Sequence, residues 1–239
     1  MNHSSCLIET AGQVHTPESP DRSEETTTAG IPWLQFHRHR VEIRKRWPTL
    51  WDLETVRDFF ANAVSRQIVA ECVLDVGATD RVWESTVNRH WSGAEYRSLD
   101  IDRTNRHDYY DFREIDREFD LVMCLEVLEH VPPKTGLEIV QNCADACRAG
   151  GYVICSVPNV TMPRCQSEFT HVTAINHHDL GAILEWSGLE VLALSRVFLG
   201  STRRYLTHRY PLALLHRALG IDFCPSVVAL ARKPEEQST

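Results

Sequence analysis

Residues 119–133 read Phe119-Asp-Leu-Val-Met-Cys-Leu-Glu-Val-Leu-Glu-His-Val-Pro-Pro133, and this stretch decides the fold. Its first half, up to Leu125, is a short and almost continuous apolar run, which is typical of a strand buried on both faces of a parallel sheet. Its second half changes at once to titratable side chains, Glu126, Glu129 and His130, before two prolines. Open α/β sheets bind ligands beyond the carboxyl ends of their strands. The stretch therefore predicts a buried strand that ends at a ligand site.

The chain on either side of this stretch alternates between strand and helix patterns. Helices are expected from a cap at Thr79 or Asp80 to about residue 91, over residues 135–148 with Gly150-Gly151 as the stop, and from the cap Asn176 to about residue 186. Strand patterns occupy residues 72–77, 96–101, 109–112, 119–125, 152–157, 189–197 and 227–232. This alternation implies right-handed βαβ units, so we predict an α/β fold with a doubly wound, mostly parallel sheet of seven strands.

The composition along the chain predicts one folded domain with polar ends. Residues 1–30 and 234–239 are rich in polar residues and predict disordered tails. Residues 31–70 predict a helical cap of two segments, the second beginning near residue 52. Residues 71–233 then form the main domain, since a chain of 239 residues buries one substantial core.

Charge and cysteine content exclude several classes of protein. The formal net charge of −8 argues against a general binder of nucleic acid, so nucleic acid is not expected as a partner. The eight cysteines contain no Cys-x-x-Cys pair, which excludes a zinc knuckle and a redox dithiol. Free thiols in apolar strand patterns and the lack of a long apolar run predict a cytoplasmic protein.

The turn after the first predicted strand suggests what the site binds. Asp75-Val-Gly77 ends that strand, and Asp100 ends the next one, where a carboxylate can accept hydrogen bonds from ribose hydroxyls. The loop lacks the later glycines of Gly-x-Gly-x-x-Gly, which let backbone amides approach a pyrophosphate. A nucleoside ligand without phosphates is therefore favoured over NAD or FAD.

Four segments together resemble the successive motifs of class I S-adenosylmethionine-dependent methyltransferases, in particular the ubiquinone-pathway type of small-molecule O-methyltransferase. They are Val73-Leu-Asp-Val-Gly77, Ser98-Leu-Asp-Ile-Asp102, the stretch from Phe119 to Pro132, and Gly150-Gly-Tyr-Val-Ile-Cys-Ser-Val-Pro-Asn159. The resemblance covers about residues 70–198. It implies S-adenosylmethionine as cofactor and a sheet whose last strand is antiparallel.

The resemblance also implies which residues contact the cofactor. Asp75, Gly77 and Ala78 would face its methionine portion, and Asp100 its ribose. Its adenine would lie at Asp111 and Phe112, and the strand end at Cys124 and Leu125 would border it. Thr79 stands where the family usually has a second glycine. This departure leaves open an alternative of another class, a binding module that has kept the fold and lost the cofactor.

Glu126, Glu129 and His130 are spaced to project from one side of a helical turn. With His171, they predict a divalent-metal site, with Mg²⁺ as the candidate ion, and small-RNA 2′-O-methyltransferases resemble the chain in this respect. The alternative is that the acids only support the loop. Either His130 or His171 is also a candidate general base for an alcohol or phenol acceptor, because imidazole accepts protons near neutral pH.

The insert at residues 199–221 is basic and contains no acidic residue. It predicts a lid that attracts an acidic substrate, a peripheral contact with anionic membrane, or a solvated helical excursion. The predicted function is O-methylation of a small-molecule acceptor, with metal-assisted RNA 2′-O-methylation as the alternative. The acceptor's identity and the oligomeric state stay open at this stage.

Overall fold

A computed structural model of the protein describes residues 31–50, 53–55, 59–60, 68–162, 168–198, 212–219 and 222–235. The predicted tail at 1–30, most of the second cap segment and most of the insert at 199–221 lie outside these residues. Within them, no helix is long and apolar enough to cross a membrane.

The described chain contains one sheet of seven strands, with helices on both faces. The strands are β1 (Leu53–Thr55), β2 (Cys72–Val76), β3 (Glu95–Leu99), β4 (Phe119–Leu125), β5 (Cys147–Pro158), β6 (Glu190–Phe198) and β7 (Ser226–Arg232). Their spatial order is β1-β6-β7-β5-β4-β2-β3. Only β7 runs antiparallel to its neighbours, β5 and β6. The predicted α/β fold with an antiparallel last strand is confirmed.

Six of the seven strands are those predicted, and the remaining one differs. The strand expected at residues 109–112 is wrong, because Tyr109 forms only an isolated bridge with Leu99. The side chain of Asp111 accepts a hydrogen bond from the Arg113 amide, which starts a 3-10 turn at Phe112–Glu114 instead. The seventh strand is β1, in a segment predicted to be helical, where pairing with the edge of β6 outweighs the local pattern.

The helices are α1 (Trp33–Arg46), α2 (Glu84–His90), α3 (Pro133–Ala146), α4 (His177–Trp186) and α5 (Ala213–Leu219). The cap predicted at Asn176 is confirmed, since its side chain accepts hydrogen bonds from two amides in the first turn of α4. The early start predicted for α2 is wrong, because Thr79 and Arg81 have φ angles of 49° and 61° that no helix accommodates. Gly150-Gly151 lie inside β5 and do not end α3.

The apolar run of β4 is buried on both faces of the sheet, as its pattern predicts. Val122 and Cys124 face a core shared with α1, α3 and α4, whereas Leu121 and Met123 face a second core that includes Phe59. Successive strand residues point to opposite faces, so only an apolar residue fits at most positions. Both cores hold the carboxyl end of β4 in the middle of the sheet's ligand-binding edge.

Candidate active site

A cleft of about 770 Å³ lies at the carboxyl ends of β2, β3 and β4. Six residues predicted from the sequence line it: Gly77, Asp100, Asp111, Phe112, Glu126 and His130. Other lining residues were not predicted: Tyr110, Val127, Val131, Thr135, Ile139 and Asn142. The last three recur at spacings of four and three along α3, and this helical period in the sequence was a usable signal for them. The cleft stands where the fold predicts a ligand site.

The loop after β2 brings its backbone close to the cleft. Gly77 has a φ of 72°, and a Cβ placed there would lie 2.4 Å from Val127 Cγ2. Only glycine therefore fits, both for its backbone conformation and for the close approach of Val127. Thr79 also takes a left-handed conformation, and its amide donates to Asp100 Oδ2 at 2.8 Å. The loop thus adopts a glycine-type turn with a threonine at its centre.

The Asp100 carboxylate fixes this loop and still has capacity to bind a ligand. Its Oδ2 accepts from the Thr79 amide at 2.8 Å and its Oδ1 from the Asp102 amide at 2.9 Å. Each carboxylate oxygen has a second acceptor direction, so both can also accept from neighbouring hydroxyl groups. The side chain lines the cleft although it is largely buried. These properties suit a group that holds the two hydroxyls of a ribose.

Asp111 and Phe112 form a further part of the wall, at the start of the 3-10 turn. Both Asp111 oxygens accept from the Arg113 guanidinium, at 2.9 and 2.6 Å. These hydrogen bonds from Arg113 hold the pKa of the Asp111 carboxyl well below its usual range. Arg113 itself lines the cleft, so a ligand at Asp111 meets an ion pair there.

Four of the predicted cofactor residues lie outside the cleft lining. Ala78 and Cys124 are buried, and Leu125 lines a small separate cavity together with Phe59 and Phe60. Asp75 is buried beneath the loop, where burial raises its pKa to about 7 and the Tyr96 hydroxyl donates to its Oδ2. A direct contact of these four side chains with a cofactor stays a prediction.

Glu126 is separated from the neighbouring acid by the local backbone. Its φ of 55° places it before the 3-10 turn at Leu128–His130, and its Oε1 accepts from Ser156 Oγ at 2.7 Å. Burial raises the pKa of the Glu126 carboxyl. The expected helical turn with Glu126, Glu129 and His130 on one side is therefore wrong for Glu126, which is directed to β5.

Glu129, His130 and His171 do come together. Their nearest nitrogen and oxygen ligand atoms all lie within 4.8 Å of one another. The Val172 and Thr173 amides donate to the Glu129 carbonyl, at 2.8 and 3.1 Å, and these bonds hold the segment after His171 against the 3-10 turn. The two imidazole ring centroids are 4.9 Å apart. Backbone hydrogen bonds thus join the turn after β4 to a segment that follows β5.

The hydrogen bonding of His130 leaves one ring nitrogen directed into this cluster. Its Nδ1 lies 3.3 Å from the Thr170 carbonyl oxygen, which can only accept. In the neutral ring Nδ1 therefore carries the proton, and Nε2 has a free lone pair. Nε2 lies 3.7 Å from Glu129 Oε1. His130 is thus oriented as a proton acceptor or as a metal ligand.

The cluster is a possible set of metal ligands, and metal binding stays a prediction. Glu129 is only 3 % exposed, and its Oε2 has no hydrogen-bond partner among the described residues. Burial raises the pKa of Glu129 to about 8, and a bound cation would offset that effect. Two imidazoles and one carboxylate suit Zn²⁺ or Mn²⁺ better than Mg²⁺, which prefers oxygen ligands. The structure supplies three of the four predicted ligands.

A second, smaller cavity of about 250 Å³ adjoins this cluster. Glu129 and His171 line it on one side, and Val157, Pro158 and Val160 from the end of β5 line it on the other. His130, in contrast, lines the large cleft. The cluster therefore lies between a cleft large enough for a nucleoside and a mostly apolar cavity of small-molecule size.

Comparisons with known proteins agree with this geometry. A family model described as a methyltransferase domain matches residues 44–194, more than half of the chain. A SAM-dependent methyltransferase from Archaeoglobus fulgidus is 17% identical over 85% of this chain and 100% of its own, with a TM-score of 0.53. A putative sarcosine dimethylglycine methyltransferase from Galdieria sulphuraria is 15% identical over 83% of this chain and 99% of its own, with a TM-score of 0.51.

A third structure of this fold is the complex of the Haloferax volcanii Trm112 methyltransferase activator with a putative methyltransferase. It is 13% identical over 86% of this chain and 98% of its own, with a TM-score of 0.54. A search of curated sequences finds no significant match. The sheet order and the cleft define the class I methyltransferase fold. The chain belongs to the methyltransferase-domain family and is an S-adenosylmethionine-dependent methyltransferase.

Proposed function

We propose that the enzyme methylates a hydroxyl oxygen of a small molecule bound in the 250 Å³ cavity beside the cofactor cleft. The observation that carries this proposal is the position of the Glu129–His130–His171 cluster between the two spaces. A hydroxyl acceptor needs a proton acceptor near the point of transfer, and this cluster provides imidazole groups there.

The residues of the large cleft fit S-adenosylmethionine. Gly77 lets the loop backbone pack closely against Val127 in the cleft wall, and the Asp100 carboxylate offers free acceptor directions to ribose hydroxyls. The Phe112 ring and the Asp111 carboxylate offer an apolar face and a hydrogen-bond acceptor for adenine. When bound, the cofactor supplies a methyl group on a positively charged sulfonium, which becomes a neutral thioether on transfer.

His130 is the proposed general base. The hydroxyl proton of the acceptor moves to Nε2, while the Nδ1 proton stays hydrogen-bonded to the Thr170 carbonyl. The imidazolium that forms lies 3.7 Å from the Glu129 carboxyl, and its positive charge favours the ionised form of that acid. His171 packs edge-on against the His130 ring and holds its orientation. Positioning by the cavity walls supplies the remainder of the rate enhancement.

The test is a substitution of the base that preserves cofactor binding. We expect His130→Gln to lower kcat by a factor of about 10² to 10⁴, because glutamine keeps a polar group but accepts no proton. The affinity for S-adenosylhomocysteine, measured by calorimetry, should stay within about twofold. His39→Gln on α1 is the matched control.

The readout is mass gain of one methyl group in a panel of alcohols and phenols, with the corresponding amines as comparison acceptors. Methylation confined to amines, or full activity in the His130→Gln enzyme, would contradict the proposal. The measured affinity for S-adenosylhomocysteine shows whether a protein without activity has lost cofactor binding or only the base.

A metal-assisted form of the reaction is the second candidate. Glu129 Oε2 has no hydrogen-bond partner among the described residues, and with His130 and His171 it could bind a metal ion. Activity should then vanish on complete chelation and return with Zn²⁺ or Mn²⁺ more readily than with Mg²⁺. Activity that survives chelation rules this candidate out. A short RNA with a free 3′ end, included in the acceptor panel, tests the RNA 2′-O-methylation alternative.

A further inference from the structure

The loop that follows β2, residues 77–81, holds two residues in a conformation that favours glycine. Of the described residues other than glycine, three have φ angles in the left-handed region, and two of these are Thr79 at 49° and Arg81 at 61°. The Arg81 amide donates to the Ala78 carbonyl at 2.7 Å, which closes a tight turn with Thr79 as its second residue. Turns with a left-handed second residue are dominated by Gly, Asn and Asp. The loop is therefore strained where Gly77 and Thr79 line the 770 Å³ cleft.

Two hydrogen bonds from the end of β3 and the chain after it hold the backbone of Thr79. Its amide donates to Asp100 Oδ2 at 2.8 Å, and its carbonyl accepts from Asn105 Nδ2 at 3.1 Å. These bonds fix the two peptide groups on either side of the Thr79 Cα, and φ and ψ describe the rotation between those groups. Asp100 lines the cleft, whereas Asn105 is exposed and is not among the described lining residues. Asn105 therefore holds the turn from outside the cleft.

Arg81 is held by the same part of the chain. Its Nη1 donates to Asp108 Oδ2 at 3.0 Å and to Ser98 Oγ at 2.9 Å. Its guanidinium lies over the Tyr96 ring, 5.0 Å from the ring centroid. Asp108 Oδ2 also accepts from the Ser98 amide at 2.9 Å, and this bond fastens Asp108 to β3. Residues 105–108 thus contact both strained residues of the loop.

These contacts are of the size needed to hold the loop. For a residue with a Cβ, the left-handed conformation costs about as much free energy as one or two hydrogen bonds contribute to stability. Loss of a single bond can therefore let Thr79 leave this conformation, and its amide would then turn away from Asp100. The Asp100 carboxylate would keep only one of the two amides that orient it, the amide of Asp102.

We propose that Asn105 and Asp108 are positioning residues for the cofactor. They hold residues 77–81 in a glycine-like conformation and thereby set the affinity for S-adenosylmethionine. In this chain they take the place of the second glycine that the family usually has, since glycine adopts the conformation unaided. The proposal concerns cofactor binding alone and does not depend on the identity of the methyl acceptor.

The first test is a double-mutant cycle between Asn105 and Thr79, with the affinity for S-adenosylhomocysteine measured by calorimetry. We expect Asn105→Ala to weaken binding about three- to tenfold, the equivalent of one hydrogen bond. In the Thr79→Gly background the same change should weaken binding less than about twofold, because glycine keeps the turn unaided. Asn88→Ala, at an exposed asparagine on α2, is the matched control and should leave the affinity unchanged.

The two backgrounds distinguish positioning from a general loss of structure. Asn105 is exposed, so its replacement opens no cavity, and thermal melts show that each variant is folded. Equal losses of affinity in the threonine and glycine backgrounds, or no loss in the Asn105→Ala protein, would overturn the proposal.

The second test compares two substitutions of Arg81. Arg81→Ala and Arg81→Gly both remove the contact with Asp108, but only alanine keeps the Cβ that disfavours the left-handed conformation. We expect alanine to weaken binding of S-adenosylhomocysteine about tenfold or more, and glycine to stay within about threefold of the original protein. At Arg89 on α2, where the backbone is helical, a glycine variant should bind no better than an alanine variant. Equal affinities of the Arg81→Ala and Arg81→Gly proteins would overturn the role assigned to Asp108.

Discussion

Thr79 stands where the family usually has a second glycine. Its φ of 49° is a left-handed conformation that a β-branched side chain rarely adopts. The Thr79 amide donates to Asp100, which lines the 770 Å³ cleft. The loop therefore keeps the backbone geometry of a glycine turn without a glycine. Thr79 carries the resulting backbone strain.

Replacing Thr79 with glycine should relieve this strain. We expect Thr79→Gly to raise the free energy of unfolding by about 0.5–1 kcal/mol, since the left-handed penalty of roughly 1–2 kcal/mol exceeds the entropy that glycine adds. Thr79→Ala removes the hydroxyl but keeps the Cβ, and it should give no such gain. Urea denaturation of the three proteins measures the difference. Equal stability of the glycine and alanine variants would show that the backbone is unstrained.

Helices α1 and α4 approach each other closely where Ile43 meets Gly181. Ile43 is fully buried, and a Cβ on Gly181 would lie 2.8 Å from its Cγ2. Ion pairs join the same two helices, one of them between Arg40 and Asp179 at 2.5 Å. The small residue on α4 allows the large one on α1 to cover the sheet.

This contact predicts a non-additive pair of substitutions. Ile43→Ala should destabilise the protein by about 2–5 kcal/mol through a cavity, and Gly181→Ala by about 1–3 kcal/mol through overpacking. In the double variant the new methyl group fills part of the cavity, so the loss should fall below the sum by roughly 0.5–3 kcal/mol.

The control for this cycle is Gly136→Ala on α3. There the nearest atom to a new Cβ is Val131 Cγ2 at 3.8 Å, an ordinary contact. That variant should be as stable as the original protein or gain up to about 1 kcal/mol from helix propensity. Denaturant unfolding of all four variants gives the cycle, and strict additivity would contradict the proposed contact.

Across the whole molecule, burial at the ligand-binding edge of the sheet raises the pKa values of several carboxyl groups. Asp75, Glu126 and Glu129 all show this effect, and burial is its largest cause in each. The folded protein holds these protons at pH values where the unfolded chain has released them. Global stability should therefore depend on pH through groups that belong to the site.

Asp75 gives the clearest measurement of this linkage. Its pKa rises from 3.8 in the ordinary state to about 7 in the fold, so its contribution is fully present below pH 3.8 and is lost as the pH rises to about 7. Asp75→Asn removes the titration and still accepts a hydrogen bond from the Tyr96 hydroxyl. The variant should gain up to about 4 kcal/mol relative to the original protein between these pH values.

Urea denaturation at a series of pH values checks this prediction. Asp145→Asn, which changes an exposed carboxylate on α3, should leave the pH dependence unaltered. Parallel stability curves for the original protein and Asp75→Asn would show that Asp75 titrates normally in the fold.

The sequence by itself determined six of the seven strands and the edge of the sheet at which the candidate site lies. Local patterns of neighbouring residues predicted the burial of β4 on both faces, the helix cap at Asn176 and the acids at the ends of strands. Gly77, Asp100, Asp111, Phe112 and His130 could all be assigned to one site in this way, because parallel strands end at a common edge.

Only the tertiary structure decided how that edge is used. It paired β1 with β6, turned Glu126 towards Ser156, and placed His171 beside Glu129 through backbone hydrogen bonds between distant segments. It also joined Arg196, Asp222 and Asn159 in one buried hydrogen-bond network. These outcomes depend on contacts between residues far apart in the chain, and their energies outweigh the weak local preferences that a sequence pattern reports.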